Sequence, residues 1–115
     1  MAENEKQSLG STDSGIKPNI AALLAYLLGF ITGLVFILIE KNNKFVRFHA
    51  MQSIVTFGGL FVLQWIIALV PILGAVVSGL VSLLAVGLWV VLMVKAYQGE
   101  KFKLPWIGEI AEKNS

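Results

Sequence analysis

AMQSIVTFGGLFVLQWIIALVPILGAVVSGLVSLLAVGLWVVLMV, residues 50–94, runs for 45 residues without one Asp, Glu, Lys, Arg or His. As one helix rising about 1.5 Å per residue it would reach roughly 67 Å, about twice the ~30 Å hydrocarbon core of a bilayer. The run therefore reads as two spans, and Pro71 with Gly74 is the turn signal inside it. The connection 70–74 carries no charge, so it is either tight and shallow or re-entrant against protein, since lipid cannot satisfy open backbone groups. Upstream, residues 20–39 form a second uncharged run, 20 residues long, the length of one crossing. The expectation is an all-α integral membrane protein with three predicted transmembrane helices, over about 20–39, 50–70 and 72–94, and a short C-terminal interfacial helix.

Composition agrees with lipid as the main solvent. Hydrophobic residues make up 57% of the chain and charged residues 14%, with mean hydropathy +0.79; soluble domains are about one quarter charged. The polar segments are too short to bury a core of their own. With no cysteine there is no disulfide framework and no thiolate metal site. A net charge of +2 gives no reason to expect nucleic acid as a partner. No carboxylate pair lies in the spans, there is no G-x-x-x-x-G-K phosphate loop or metal-ligand cluster, and His49 has no Ser or Asp at a motif spacing. The chain is not expected to be an enzyme, and no catalytic, cofactor-binding or metal site is expected.

Residues 1–19 are polar and lack the basic-then-apolar order of a signal peptide, so they read as a disordered tail. Residues 20–97 form the transmembrane helical domain, started by Pro18 and Asn19, and 98–115 an interfacial amphipathic tail. In the 40–49 loop, Asn42 or Asn43 can cap a second helix beginning near Lys44. Lys41, Lys44 and Arg47 in that loop and Lys95, Lys101, Lys103 and Lys113 beyond the last span outnumber Lys6 and Lys17 by seven to two. The positive-inside rule places the loop and C-terminus in the cytoplasm and the N-terminus outside a cytoplasmic membrane.

On the second predicted helix, His49, Gln52, Ser53, Thr56 and Gln64 fall within an arc of about 120°, interrupted by Leu60 and Leu63. Such a polar stripe either bonds neighbouring helices or lines a path, and the Gln64 amide lies deepest. Gly29 and Gly33 form a G-x-x-x-G pair, and Gly74, Ser78 and Ser82 repeat every fourth residue; both are candidate packing faces. In the tail, Gly99 can end a helix and Pro105 start another, with Trp106, Ile107, Ile110 and Ala111 on one face. Lys41, Lys44, Arg47, Lys101, Lys103 and Trp106 are candidate lipid-surface contacts. Trp89, Tyr97 and Trp106 can anchor the chain at the interface, although Trp89 can equally be buried.

The segments NIAALLAYLLG (19–29), FVRFHAMQS (45–53) and the 96–105 tail together resemble a family of small prokaryotic multi-span membrane proteins described as chloroplast import component-like, that is, Tic-twenty-like. The resemblance covers about 19–112, and the FVRFHAMQS segment is its specific part. It implies a multi-span protein and involvement in protein translocation, and it supplies no functional residues. The reading of the residues themselves is a structural or interaction subunit in the lipid bilayer, partnered by further copies of itself or by other membrane proteins. The alternative is a channel or protein-translocation component assembled from several copies.

Overall fold

The uncharged run folds as two long helices in the computed structural model, which describes residues 9–115; five helices and no strand occur among them. The helices are α1 (Pro18–Leu27), α2 (Phe30–Ile39), α3 (Lys44–Ile67), α4 (Leu73–Tyr97) and α5 (Ile107–Asn114). With 24 and 25 residues, α3 and α4 are long and apolar enough to cross a membrane, each reaching about 36 Å. Asn43 starts α3 by accepting the Val46 N–H through Oδ1 at 2.9 Å. The turn between them is tight: Leu69 N–H bonds to Ile66 O, Val70 N–H to Ile67 O and Gly74 N–H to Val70 O. Gly74 is required there because a Cβ would run into the Ile67 carbonyl. Ile72, a β-branched residue at φ 61°, closes the turn under backbone strain.

The third crossing expected over 20–39 is absent. The run breaks at Leu28 and Gly29, where Gly29 takes φ 64°, a conformation open to glycine. The two pieces, α1 and α2, have 10 residues each and reach about 15 Å, half a hydrocarbon core. They run antiparallel: just past α2, the Glu40 carboxylate accepts the Asp13 and Ser14 N–H groups just before α1, at 2.7 and 3.0 Å. The chain enters and returns on the same side. Length and apolarity are the same for a crossing run and for a reversing one, so only two full-length spans remain.

A reversal inside lipid must satisfy its own backbone. Thr32 Oγ1 accepts the Leu28 N–H at 3.0 Å and donates to Ala25 O at 3.1 Å. The Trp89 indole N–H from α4 reaches Tyr26 O at 2.8 Å and Leu27 O at 3.2 Å. From α3, the Ser53 hydroxyl donates to Gly29 O at 2.8 Å. Trp89 is thus a cap for the hairpin tip and not an interfacial anchor. Its place also measures depth: Trp89 lies eight residues before the end of α4 and Ser53 nine after the start of α3, so both rulers put the tip about 12 to 14 Å below the polar end. Gly33 lets α2 lie against α3, since an added Cβ would sit 2.8 Å from Ala50 O.

The hairpin relocates the N-terminal segment. Residues 1–8, including Lys6, lie outside the described residues. From Leu9 onward the expected disordered tail is instead held against the 40–43 loop: Asn43 Nδ2 donates to Leu9 O and Ser11 O, and Asp13 Oδ2 accepts the Lys41 N–H at 2.8 Å. A Cβ on Gly99 would touch the Leu9 side chain, so the segment also meets the end of α4. Residues 9–17, the loop and the C-terminal tail therefore share one end, and a crossing between residue 17 and the 40–43 loop, on which the expected N-terminus outside rested, does not fit this geometry. Of the nine Lys and Arg residues only Lys6 is undescribed; the other eight, and all described Asp and Glu, cluster at that end. The far end is uncharged and carries Trp65 near its rim.

Candidate functional site

The polar stripe of α3 meets its partners at the charged end. Periodicity puts His49, Gln52, Ser53 and Thr56 on one face of α3, and all four are buried. Tyr26, fully buried on α1, brings its hydroxyl to 2.7 Å from His49 Nδ1 and 3.0 Å from Gln52 Nε2. His49 Nε2 lies 2.8 Å from Glu100 O, and Gln52 Nε2 donates to Phe102 O at 2.9 Å. Gln52 Oε1 accepts the Leu104 N–H at 3.0 Å.

The partners fix the direction of every bond. A carbonyl only accepts, so Nε2 of His49 carries the proton and Nδ1 accepts from the Tyr26 hydroxyl, which itself accepts from Gln52. Gln52 uses both amide hydrogens and its oxygen. Aromatic edges from Tyr26, Phe45 and Phe48 enclose the imidazole at centroid distances of 5.4, 4.7 and 5.1 Å. With every N–H and O–H donor of Tyr26, His49 and Gln52 paired, this network is a clasp, and what it clasps is the backbone of residues 100–104.

That backbone runs down along α3 to the level of Gln52, and α5 runs back up, with Ala111 buried and Leu104 nearly so. Arg47 ends the return by donating through Nε to Ser115 O at 2.7 Å, and Lys44 Nζ reaches the same oxygen at 3.3 Å. Arg47 Nη1 also donates to Ile37 O and Glu40 O, capping the C-terminus of α2. Lys101 and Lys103 pair with Glu112 at 3.3 and 2.6 Å, holding its carboxyl below the usual carboxylate value through Lys103 first and Lys101 second. Lys101 also lies over the Phe48 ring. Of the candidate lipid-surface set, Lys41 and Trp106 point outward, Trp106 being 82% exposed, whereas Arg47 is engaged within the chain. The expected apolar face of the tail divides, with Ala111 inward and Trp106 and Ile110 outward.

The remaining candidates lie elsewhere. Gln64 is separate from the clasp: Nε2 donates to Ser82 Oγ at 2.9 Å and to Ser78 O, and Ser78 Oγ donates to Gln64 Oε1 at 2.7 Å. Ser78 and Ser82 are thus partners of Gln64 as well as small residues. The Thr56 hydroxyl is buried without a hydrogen-bond partner. Gly29 serves the hairpin turn, Gly33 the contact with α3, and Gly74 the far turn. Sequence reasoning did not single out Tyr26, Thr32 or Glu40. The signal for Tyr26 was available, because a hydroxyl inside an apolar run must find a partner. Among the described residues, no three of His, Cys, Asp and Glu converge as metal ligands.

Residues 17–111 match the model of a family described as the magnetosome magnetite crystal formation protein family. A UPF0132 membrane protein of Methanocaldococcus jannaschii is 56% identical over 107 residues, covering 93% of this chain and 96% of the relative. A UPF0132 membrane protein of Archaeoglobus fulgidus is 48% identical over 98 residues, covering 85% and 95%. No solved structure matches. These matches support a prokaryotic membrane-protein family and do not carry the import-component name toward which the FVRFHAMQS segment pointed.

Proposed function

We propose a structural role on a plain premise: the chain belongs to the magnetosome magnetite crystal formation protein family, whose relatives here are membrane proteins. It acts as a non-enzymatic subunit that shapes and organises the bilayer around it, alone or with further copies or other membrane proteins. One observation supports this above others. Of the α3 stripe that a conducting path or a reaction centre would draw on, all but Thr56 are already bonded inside the chain, His49 and Gln52 to Tyr26 and the 100–104 backbone, Ser53 to Gly29 O and Gln64 to Ser78 and Ser82. A channel or translocation path lined by the α3 stripe would have to break those bonds first. The printed family description names magnetite crystal formation; the reading offered for this chain draws on its membrane architecture and not on mineral binding.

The clustering of described charges at one end supports a cytoplasmic location for that end, with both residue 9 and residue 115 on the cytoplasmic side of a cell membrane. The functional reading is tested by the conductance of the purified full chain in planar bilayers. The expected result is none, in wild type and in Gln64→Leu alike. A selective current that Gln64→Leu abolishes would replace the structural reading with a pore. Copurification after mild solubilisation then identifies the neighbours.

A further inference from the structure

The two halves of the bilayer receive very different amounts of this protein. In the half next to the charged end lie α1, α2 and the upper parts of α3 and α4, and at their rim the 100–106 segment and α5. In the far half only the lower parts of α3 and α4 remain, because the hairpin stops about 12 to 14 Å below the polar end. Two extra helices, each about 10 Å across, therefore widen the molecule in one leaflet alone.

The hairpin is built to stay there. At its tip Thr32 takes the Leu28 N–H, Trp89 the Tyr26 carbonyl and Ser53 the Gly29 carbonyl, so these groups need no partner in the far leaflet. Its base is tied to the surface by Glu40 on the Asp13 and Ser14 amides and by Arg47 on Ile37 O and Glu40 O. The tip residues Leu27, Leu28 and Ile31 are exposed and apolar, as lipid contact at mid-depth demands. The C-terminal return adds width in the same leaflet, held there by the Gln52 and His49 bonds.

We infer that the protein is a membrane wedge: it favours, and at high density promotes, bilayers that are convex on the leaflet carrying residues 9–17, 40–43 and 98–115. Inclusions confined to one leaflet expand that leaflet relative to the other, which is why interfacial helices respond to curvature. The inference deepens the structural reading, and a bilayer conductance measurement succeeds or fails independently of it.

The test uses giant vesicles from which narrow outward tethers are pulled. The chain has no cysteine, so a Lys113→Cys variant treated with a membrane-impermeant dye reports only copies whose charged end faces out. Leu69→Cys, 81% exposed at the far turn, reports only copies in the opposite orientation. The expected tether-to-vesicle density ratio is above one for Lys113→Cys and below one for Leu69→Cys. Opposite sorting of one protein in its two orientations is the signature of a wedge and needs no variant that threatens folding. Ratios equal to one in both, or displaced the same way in both, overturn the inference. A nitroxide attached at Leu28→Cys, relaxed by oxygen as deep-leaflet positions are and unreachable by a water-soluble relaxation agent from the far side, independently checks the half-depth tip; access from the far side overturns it too.

Discussion

Gln52→Met tests whether the clasp holds the C-terminal segment or merely accompanies it. The substitution is close in size and removes three hydrogen bonds, to Tyr26 Oη at 3.0 Å, Phe102 O at 2.9 Å and the Leu104 N–H at 3.0 Å. Two of the three hold the segment, so at roughly 0.6 to 1 kcal/mol net per bond it loses about 1.2 to 2 kcal/mol of attachment. Leaving Phe102 O and Leu104 N–H buried and unpaired would cost about 1 to 3 kcal/mol each. Detachment is cheaper, because water satisfies both groups and Leu104 can re-enter lipid. Hydrogen exchange of a peptide covering residues 100–106 should therefore quicken by roughly 7- to 30-fold. Exchange within α3 and α4 should stay as in wild type. Gln64→Met, whose partners are Ser78 and Ser82, should leave the segment protected. Unchanged protection at Leu104 in Gln52→Met would show that apolar packing alone holds the segment, and loss of protection throughout α3 would show that the network supports the whole bundle. Either result refutes the clasp as described.

Topology is checked with single cysteines: Ser11→Cys, Lys41→Cys and Lys113→Cys should label from one side and Leu69→Cys from the other, and labelling of Ser11 together with Leu69 would restore a third crossing. Trp89→Phe removes the N–H that caps Tyr26 O and Leu27 O and should cost about 0.6 to 1.7 kcal/mol in detergent unfolding; a neutral result means the tip finds another donor. Gly33→Ala should destabilise by about 1 to 3 kcal/mol, because its Cβ would meet Ala50 O at 2.8 Å, whereas Gly59→Ala, with open space around it, should gain up to about 1 kcal/mol. The Asp13 carboxyl is held below its ordinary 3.8 by the Lys41 backbone N–H and then the Asn42 side chain. A folded value below the unfolded one means that its contribution is present above about pH 3.8 and is lost as pH falls through the folded value. A spin label at Ser11 should become mobile only below that pH, and release near neutrality would contradict this assignment.

The reach of sequence reasoning here follows from what each signal measures. The absence of charge over 50–94 and the pair Pro71 and Gly74 define α3, the far turn and α4 to within a few residues, because only hydrocarbon tolerates such a run and only a turn needs that glycine. A cap at Asn42 or Asn43 was legible for a local reason, and Asn43 is the one whose amide lies three residues before the N–H it accepts. The hairpin was not. Hydropathy records how much apolar surface a run carries, and residues 20–39 carry the same amount whether they cross or reverse. What decides is the positive φ of Gly29 together with Trp89 and Ser53 on other helices. The inward face of α3 was legible from its period, but its partners were not, since Glu100, Phe102 and Leu104 lie about fifty positions downstream of His49 and Gln52. The count of seven basic residues against two placed Lys17 on the wrong end for the same reason: it assumed that the intervening run crosses.

The uncharged far end bears on how such a chain reaches its place. Among the described residues every Lys, Arg, Asp and Glu lies at one end, and the turn at the other end, residues 68–73, is apolar throughout. Carrying one elementary charge across a membrane potential changes the energy by about 2.3 kcal/mol per 100 mV. No such work arises when the α3–α4 turn is pushed through, and the half-depth hairpin never leaves its leaflet. Inserted with the charged end trailing, residues 9–115 carry no charged side chain across the membrane, and the potential does no work on them.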